Sequence, residues 1–265
     1  GMGGEPYYDD NAWLVLGLYD IAKATGEDAY MQLSRDILDY VLSGESENGG
    51  IYWKETVLSR HTCSTGPAIV AALLHYLETN EESYLTTAKR LYDWAVRVLR
   101  DPQDGRYFDN ATYDPNTETE RVNEAKYTYN TGTMIWAGAL LYQITGEKQY
   151  KGDALFSSEG ALRFAERDHG GNFFYPSTPW FNVYLIQGFK AVAEIIGENQ
   201  YLETIRTNLN FAWENAKDER GFVYKSWRVN NSNDPYVALL DAAGTAESYA
   251  LLAHYDLNQN TKNEG

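Results

Sequence analysis

Four copies of a similar hexapeptide constrain the fold of this chain more than any other feature. They begin at Thr25, Thr79, Thr145 and Ile196, and each continues with Gly or Asn, then Glu, and ends in Tyr. Every copy lies between two amphipathic stretches, and Gly or Asn readily adopts the left-handed backbone that ends a helix. The copies recur at intervals of roughly 50 to 65 residues, which suits two helices and one long return loop. The repeat therefore predicts a series of tight helical hairpins.

The 3.6-residue period of the apolar positions predicts nine helices in these hairpins. They span residues 10–25, 28–43, 64–79, 82–100, 130–145, 148–167, 180–196, 199–216 and 236–254. The odd-numbered helices are predicted to be inner helices, because the stretches 68–74 and 135–141 are apolar on more than one side. The even-numbered helices carry more charge and are predicted to form the outer layer.

The long return loops repeat a second pattern, a Gly followed closely by aromatic residues. These patterns begin at Gly49, Gly105, Gly170 and Gly221. Short joins at one end and long aromatic loops at the other indicate hairpins that stack into a toroid, with its site at the long-loop end. We predict one all-α domain spanning residues 1–265. Residues 101–126 are expected to form an irregular excursion over the site face, and residues 258–265 a frayed end.

The charge and composition of the chain disfavour several classes of partner. The net charge is −16 and the pI is near 4.6, which repels nucleic acid, anionic membrane surfaces and acidic polysaccharides. No apolar run reaches the ~20 residues of a membrane span, so no membrane insertion is expected. Cys63 alone cannot form an internal disulfide, and the four His residues lie too far apart in the sequence for a metal site. The aromatic content of 14% suits sugar recognition, since rings stack on the apolar faces of pyranoses.

An adjacent pair of carboxylates, Asp9 and Asp10, is the candidate catalytic centre. The pair begins the first inner helix, on the face that carries the long aromatic loops. Adjacent carboxylates repel each other, so one can keep its proton while the helix N-terminus favours ionisation of the other. Two carboxyl groups ~5–5.5 Å apart have the geometry of a retaining glycosidase. The competing interpretation is that the pair only caps the helix, because Asp is common at that position.

Other residues near the starts of the inner helices are candidate substrate-binding groups. Trp53 and Trp180 are either stacking platforms for sugar rings or core rings. Ser64, Thr65 and Asn130 are either helix caps or hydrogen-bonding partners of sugar hydroxyls. The complete set of substrate-binding candidates is Tyr8, Trp53, His61, Ser64, Thr65, Tyr129, Asn130, Trp180 and Asn182.

The carboxylate pair belongs to a longer motif, Tyr8-Asp9-Asp10-Asn11-Ala12-Trp13. Further motifs follow in order along the chain: Gly49-Gly50-Ile51-Tyr52-Trp53, Ser64-Thr65-Gly66-Pro67-Ala68, Tyr129-Asn130-Thr131-Gly132 and Trp180-Phe181-Asn182. With these motifs the chain resembles glycoside hydrolase family 76, the α-1,6-mannanases. The resemblance runs through nearly the whole chain, and its most specific part is the Asp-Asp motif together with Tyr-Asn-Thr-Gly.

The resemblance implies an (α/α)6 toroid and retaining endo-hydrolysis of α-1,6-mannan. By position in the motif, Asp9 matches the family nucleophile and Asp10 its general acid/base. The resemblance implies no metal and no other cofactor. The expected partner is mannan or a mannooligosaccharide, and such a substrate favours a secreted or periplasmic protein.

The chain departs from the family in one respect, because family members carry further helices before the Asp-Asp motif. Nine helices fall short of the twelve of a closed toroid, so we expect an incomplete toroid. It is expected to pair through its open side, as a homodimer or with a further N-terminal segment, or else to narrow its arc so that the terminal helices touch. Trp13, Leu14 and Leu16 at one end, and Leu251 and Leu252 at the other, are expected to be exposed there. Two alternatives stay open: a non-catalytic glycan-binding toroid, and another toroid sugar enzyme such as an unsaturated glucuronyl hydrolase or an epimerase.

Overall fold

The chain folds into nine α-helices within the residues that the structure describes. This structure is a computed structural model, and it describes residues 6–228 and 238–263. The helices are α1 (Tyr8–Thr25), α2 (Asp28–Leu42), α3 (Thr62–Thr79), α4 (Glu82–Val98), α5 (Thr128–Thr145), α6 (Lys148–Ala161), α7 (Pro179–Ile196), α8 (Gln200–Asn215) and α9 (Leu239–Asn263). Among the described helices, none is both long enough and apolar enough to cross a membrane.

The predicted helices are confirmed, with corrections at two of them. The helix predicted over 148–167 ends at Ala161, because residues Glu166–Arg167 pair as a short strand with Phe173–Phe174. The last helix continues through Asn263, so the prediction of a frayed end from Asn258 is wrong over that stretch. An ion pair between Asp256 and Arg206 of α8, at 2.8 Å, ties this part of α9 to its neighbour.

The hexapeptides end one helix and begin the next, as predicted. Gly26, Asn80, Gly146 and Gly197 each have a left-handed backbone, and each N–H bonds a carbonyl four residues earlier. In the first three copies the Thr hydroxyl accepts the N–H of the Glu two residues later, at 3.2 Å. The first three hexapeptides are therefore two-residue joins and the fourth is a three-residue join, and the left-handed residue of each bonds back to the last turn of the preceding helix.

The odd-numbered helices form the inner layer of the arc. Helix α3 packs against α1 and α5, and α7 packs against α5 and α9. Residues of α3 and α5 are buried through most of their length, including their polar first turns, whereas α2 and α4 bury one face each. The inner helices begin at the end that carries the long loops, so their first turns, including that of α1, meet at one face of the arc.

Two glycines bring the backbones of α5 and α7 into contact. A Cβ atom at Gly132 would lie 2.5 Å from the Leu185 backbone, and one at Gly188 would lie 2.5 Å from the carbonyl oxygen of Gly132. The helices can approach this closely only without side chains at these positions. The contact fixes the relative position of two helices whose first turns carry candidate site residues.

Replacing Gly132 with alanine is therefore expected to lower the free energy of unfolding by about 1–3 kcal/mol, because the added methyl group forces α5 and α7 apart. Urea unfolding followed by circular dichroism measures this change. Gly152→Ala is the matched control, since Gly152 lies on the exposed side of α6 with no atom near its Cβ position. That variant is expected to gain about 0.5–1 kcal/mol. Equal effects of the two substitutions would contradict this account of the α5–α7 contact.

The prediction of an irregular excursion over residues 101–126 is wrong. The strands β2 (Phe108–Asp114) and β3 (Thr119–Lys126) form an antiparallel hairpin, and β2 also pairs with β1 (Ser59–His61). The hairpin is mostly polar and half-exposed, so its sequence shows little of the apolar alternation of a buried strand. The remaining strands in the described chain, β4 (Glu166–Arg167) and β5 (Phe173–Phe174), form a two-stranded pair.

Of the five residues expected to be exposed at the open side of the toroid, one is exposed, two are half-buried and two are buried. Leu16 and Leu252 are buried, and the half-buried Trp13 places its ring 4.2 Å from that of Tyr184 on α7. Leu14 is exposed, and Leu251 is half-buried. The Trp13 side chain of α1 therefore contacts α7 across the interior of the arc. Homodimer formation through this side stays a prediction, which sedimentation of the purified chain would test.

Candidate active site

Asp9 and Asp10 lie in the first turn of α1, at the long-loop face. Asp9 is half-buried and Asp10 is exposed. The N-cap residue of this helix is Tyr7, and no side chain caps the helix end. Neither Asp9 nor Asp10 is therefore the N-cap residue, so the interpretation that the pair only caps the helix is wrong. The positive end of the helix dipole nevertheless favours negative charge on both.

Three donors bind the carboxylate of Asp9. The indole Nε1 of Trp53 donates to Oδ2 at 2.8 Å, and the thiol of Cys63 lies 3.5 Å from the same oxygen. The backbone N–H of Asp10 donates to Oδ1 at 2.9 Å. These donors come from the loop before β1, from α3 and from α1 itself. Asp9 is therefore the point at which three segments of the chain meet.

Burial and hydrogen bonding act on the pKa of Asp9 in opposite directions. Burial raises this pKa, because it disfavours the charged form, and the neighbouring charge of Asp10 adds to the increase. The hydrogen bonds from Trp53, from the Asp10 backbone and from Cys63 favour the anion and lower the pKa. The net direction of the pKa is upward, because burial outweighs the hydrogen bonds.

Cys63 and His61 lie at the junction of β1 and α3, where Cys63 contacts Asp9 and His61 contacts Trp53. Burial raises the pKa of the Cys63 thiol well above its usual range, and the charges of Asp9 and Asp109 raise it further. Cys63 is therefore a thiol that can donate its S–H. The ring of His61 stacks on Trp53 with 5.4 Å between centroids, and its Nε2 bonds the hydroxyl of Ser59 at 2.9 Å. Burial lowers the pKa of His61, which keeps the ring neutral near pH 7.

Asp109 is a third carboxylate at this face, and it is not among the site residues predicted from the sequence. It lies on β2 at a break in register between Phe108 and Asn110, where a bulge can redirect a side chain. Its oxygens accept from the amides of Asn110 at 2.8 Å, Asn123 at 3.3 Å and Asn130 at 3.5 Å. The available signal was the Gly-aromatic pattern 105–108, which Asp109 follows directly.

A continuous group of aromatic rings extends from the carboxylate pair along the inner helices. Tyr129 stacks on Trp180 at 6.1 Å between centroids and contacts Phe181 at 4.1 Å. Trp13, one helical turn beyond the carboxylates, meets the rings of Tyr129, Trp180 and Tyr184 edge-on or tilted. We call this set the aromatic group; its members are Trp13, Tyr127, Tyr129, Trp180, Phe181 and Tyr184. Two of its members, Tyr129 and Trp180, are among the binding candidates predicted from the sequence.

Four of the candidate binding residues lie in the protein interior with structural contacts. Tyr8 is buried, with its ring stacked on Tyr40 and packed against Gly44. Thr65 accepts the backbone N–H of Ile51 at 3.0 Å. Asn182 joins Thr128 to the carbonyl of Pro176. Ser64 is fully buried beside Cys63. The structure does not bring these side chains to the open surface around Asp10.

The remaining candidates do lie around the carboxylates. Trp53 donates to Asp9, and His61 stacks on Trp53. Burial raises the pKa of Tyr129, and the charges of Cys63, Asp109 and Asp9 raise it further. Asn130 is fully buried, and its amide oxygen has no hydrogen-bond partner among the described residues. Neither Ser64, Thr65 nor Asn130 caps a helix, because the N-cap residues of α3 and α5 are His61 and Tyr127.

Known proteins with similar sequences include two that are named as mannan endo-1,6-alpha-mannosidases. The chain matches the family model of glycosyl hydrolase family 76 over residues 3–261. It is 34% identical over 111 residues to the mannan endo-1,6-alpha-mannosidase DCW1 of Candida glabrata, a match that covers 38% of this chain and 24% of that protein. The chain thus aligns with only about a quarter of the length of this relative.

Several solved structures of similar fold are family 76 glycoside hydrolases. A family 76 glycoside hydrolase from a bovine Bacteroides thetaiotaomicron strain superposes with a TM-score of 0.88 at 28% identity, over 96% of this chain and 57% of that one. An inactive variant of the α-1,6-mannanase GH76A of Salegentibacter sp. HEL1_6, with two adjacent aspartates replaced by alanine, was solved with α-1,6-mannotetrose. It superposes with a TM-score of 0.81 at 28% identity, over 93% of this chain and 76% of that one. The fold is therefore that of the family 76 toroids, and the chain belongs to glycosyl hydrolase family 76.

Proposed function

We propose that this chain hydrolyses α-1,6-linked mannan by a retaining double displacement, with Asp9 as nucleophile and Asp10 as general acid/base. The observation that carries the assignment is the set of three donors on the carboxylate of Asp9, next to the exposed carboxyl of Asp10. Asp9-Asp10 is also the only Asp-Asp pair in the sequence. This supports a correspondence with the two adjacent aspartates whose replacement gives the inactive Salegentibacter variant.

The hydrogen bonds distinguish the roles of the two carboxyl groups. Protonating Asp9 would place a hydrogen on an oxygen that already accepts one or two hydrogen bonds, so the donors favour its anion. Asp10 is exposed, and its side chain is free to reach the oxygen of the leaving sugar. In this mechanism Asp9 attacks the anomeric carbon while Asp10 protonates the leaving oxygen, and Asp10 then takes a proton from the water that releases the product.

The surroundings of the pair suit a neutral sugar polymer. The aromatic group offers ring faces on which pyranoses can stack, and Asp109 with its asparagine neighbours offers acceptors and donors for hydroxyl groups. Mannan carries no charge, so the net charge of −16 does not oppose its binding. We therefore expect mannooligosaccharides to bind across this face.

Incubation with unbranched α-1,6-mannan, followed by chromatography of the products, tests the proposed function. We expect the release of α-1,6-linked mannooligosaccharides, and no products from the Asp9→Asn variant. A binding titration with α-1,6-mannotetraose accompanies the assay. Binding without products would identify a glycan-binding protein instead, and neither binding nor products would exclude mannan as the ligand.

Trp180→Ala is expected to weaken binding of α-1,6-mannotetraose by about 10-fold, because loss of one stacking ring removes about 1–1.5 kcal/mol. Calorimetric titration in an Asp9→Asn background measures this without turnover. Trp213→Ala is the matched control, since Trp213 is a half-exposed ring on α8, outside the aromatic group. The control should bind as tightly as its parent. Unchanged affinity in Trp180→Ala would eliminate the stacking role of this ring.

A further inference from the structure

We propose that Trp53 and Cys63 are positioning residues that together hold Oδ2 of Asp9, so that Oδ1 is the oxygen that attacks the sugar. This inference rests on the proposed function and assigns a task to each carboxylate oxygen. It also gives Trp53 a different role from the stacking platform that its aromatic ring suggests in the sequence.

The assignment follows from the number of lone pairs on each oxygen. A carboxylate oxygen has two lone pairs in its plane, and each can accept one hydrogen bond. Oδ2 accepts from both Trp53 and Cys63, which occupies both. Oδ1 accepts only the N–H of Asp10 among the described residues, so one lone pair is left for the anomeric carbon.

Trp53 is held rigidly enough to orient the carboxylate. Its backbone N–H donates to the carbonyl of Ser59 at 3.1 Å, and its own carbonyl accepts the N–H of Tyr8 at 2.9 Å. The second bond joins the loop directly to the first turn of α1, next to Asp9. The indole ring is packed between the stacked His61 and the edge-on Tyr7. One face of this ring is thus covered by the His61 ring, which fixes the direction of the indole N–H.

Cys63 completes the contact from the opposite element. Its side chain is buried, and its position next to two carboxylates keeps it in the thiol form, which is a donor. A sulfur donor is weaker than an indole N–H, so Trp53 is expected to contribute more to the orientation of Asp9 than Cys63 does. Cys63→Ser would keep a donor, a hydroxyl in place of the thiol, next to the same oxygen.

The charged and titratable groups at this face come from five segments, and their charges influence the pKa values measured there. They are Asp10 on α1, Lys54 on the loop after Trp53, His61 and Cys63 at the start of α3, Asp109 on β2 and Tyr129 on α5. Trp53→Phe and Cys63→Ala change no formal charge in this group. A shift in the pKa of Asp9 in these variants therefore does not arise from a change in formal charge. A rise in this pKa reports the lost hydrogen bond, because reduced burial of the carboxyl would lower it.

The test compares Trp53→Phe, Cys63→Ala and Cys63→Ser in the full chain, with Trp213→Phe as the control outside the site. For each, kcat and KM are measured on linear α-1,6-mannan across pH, and the Asp9 carboxyl is titrated by ¹³C NMR in the free protein. Trp53→Phe is expected to lower kcat about 10- to 100-fold with KM within about twofold of the parent, since it removes one bond to a charged group. Because a donor that favours the anion is lost, the pKa of Asp9 should rise, and the acidic limb of kcat should move to higher pH.

Cys63→Ala should shift the same limb in the same direction by a smaller amount, and Cys63→Ser should restore the parent profile. A raised KM with unchanged kcat and an unmoved acidic limb in Trp53→Phe would overturn the proposal and favour a stacking role. If the parent chain does not hydrolyse mannan at all, the proposed function fails, and the NMR titration still decides the hydrogen bonding. An unchanged pKa of Asp9 in both Trp53→Phe and Cys63→Ala would refute it.

Discussion

Asp9→Asn is expected to lower kcat on linear α-1,6-mannan by about 10³-fold or more, with the fold intact. The amide of asparagine is a poor nucleophile, so the first displacement would lose its attacking group. The substitution nevertheless keeps the shape of the side chain, and the amide oxygen can still accept the N–H of Trp53. Initial rates at saturating mannan, together with a thermal melt of the same sample, measure the two effects separately.

The matched control is Asp28→Asn. Asp28 occupies the first turn of α2, and the same substitution there removes a charge from a helix N-terminus without touching the site. It is expected to cost about 0.3–1 kcal/mol of stability and to keep full activity. If Asp9→Asn behaves like Asp28→Asn, with a small loss of stability and activity retained, Asp9 is a helix-terminus residue and not the nucleophile.

Asp10→Asn is expected to lower turnover of mannan as much as Asp9→Asn does. It is expected to lower turnover much less on a substrate with a good leaving group. The leaving oxygen of a mannan chain must be protonated as the glycosidic bond breaks, whereas a dinitrophenolate departs without a proton. We therefore expect a loss of about 10³-fold on mannan, and a first step on a dinitrophenyl α-mannoside within about tenfold of the parent. Stopped-flow release of the phenolate measures the first step.

Azide provides the accompanying control for Asp10→Asn. The second step needs Asp10 to take a proton from water, and an anionic nucleophile such as azide needs no such help. Added azide should accelerate turnover of the aryl substrate by Asp10→Asn and yield an α-mannosyl azide, while Asp9→Asn should not respond. An equal loss on both substrates, without azide rescue, would remove Asp10 from the acid/base role.

Local signals in the sequence predicted most of the fold. Each hexapeptide contains the Gly or Asn that ends one helix, and in the first three copies the Glu that follows it is the N-cap residue of the next helix, so each of these turns is encoded within six residues. The positions of Asp9, Trp53 and Tyr129 at one face followed from the alternation of inner and outer helices. These features depend on contacts between residues that are close in the chain.

The features that could not be predicted depend on distant contacts. The hairpin of β2 and β3 is stabilised by pairing with β1, which precedes it by a whole helical hairpin, and its polar sequence lacks a strand period. Asp109 lies at a break in the register of β2 and β3, which no local sequence pattern predicts. The sequence predicts that Trp53 stacks on a sugar ring, whereas its indole N–H donates to Asp9, 44 positions earlier in the chain.

The most direct test of the central claim is a time-resolved ¹H NMR measurement of the first product released from an α-1,6-mannooligosaccharide. If Asp9 attacks and Asp10 serves as acid and then base, the configuration is inverted twice, and the α-anomer of the new reducing end should appear first and then mutarotate. Initial release of the β-anomer would contradict the double displacement. The absence of any new reducing end would contradict the proposed hydrolysis itself.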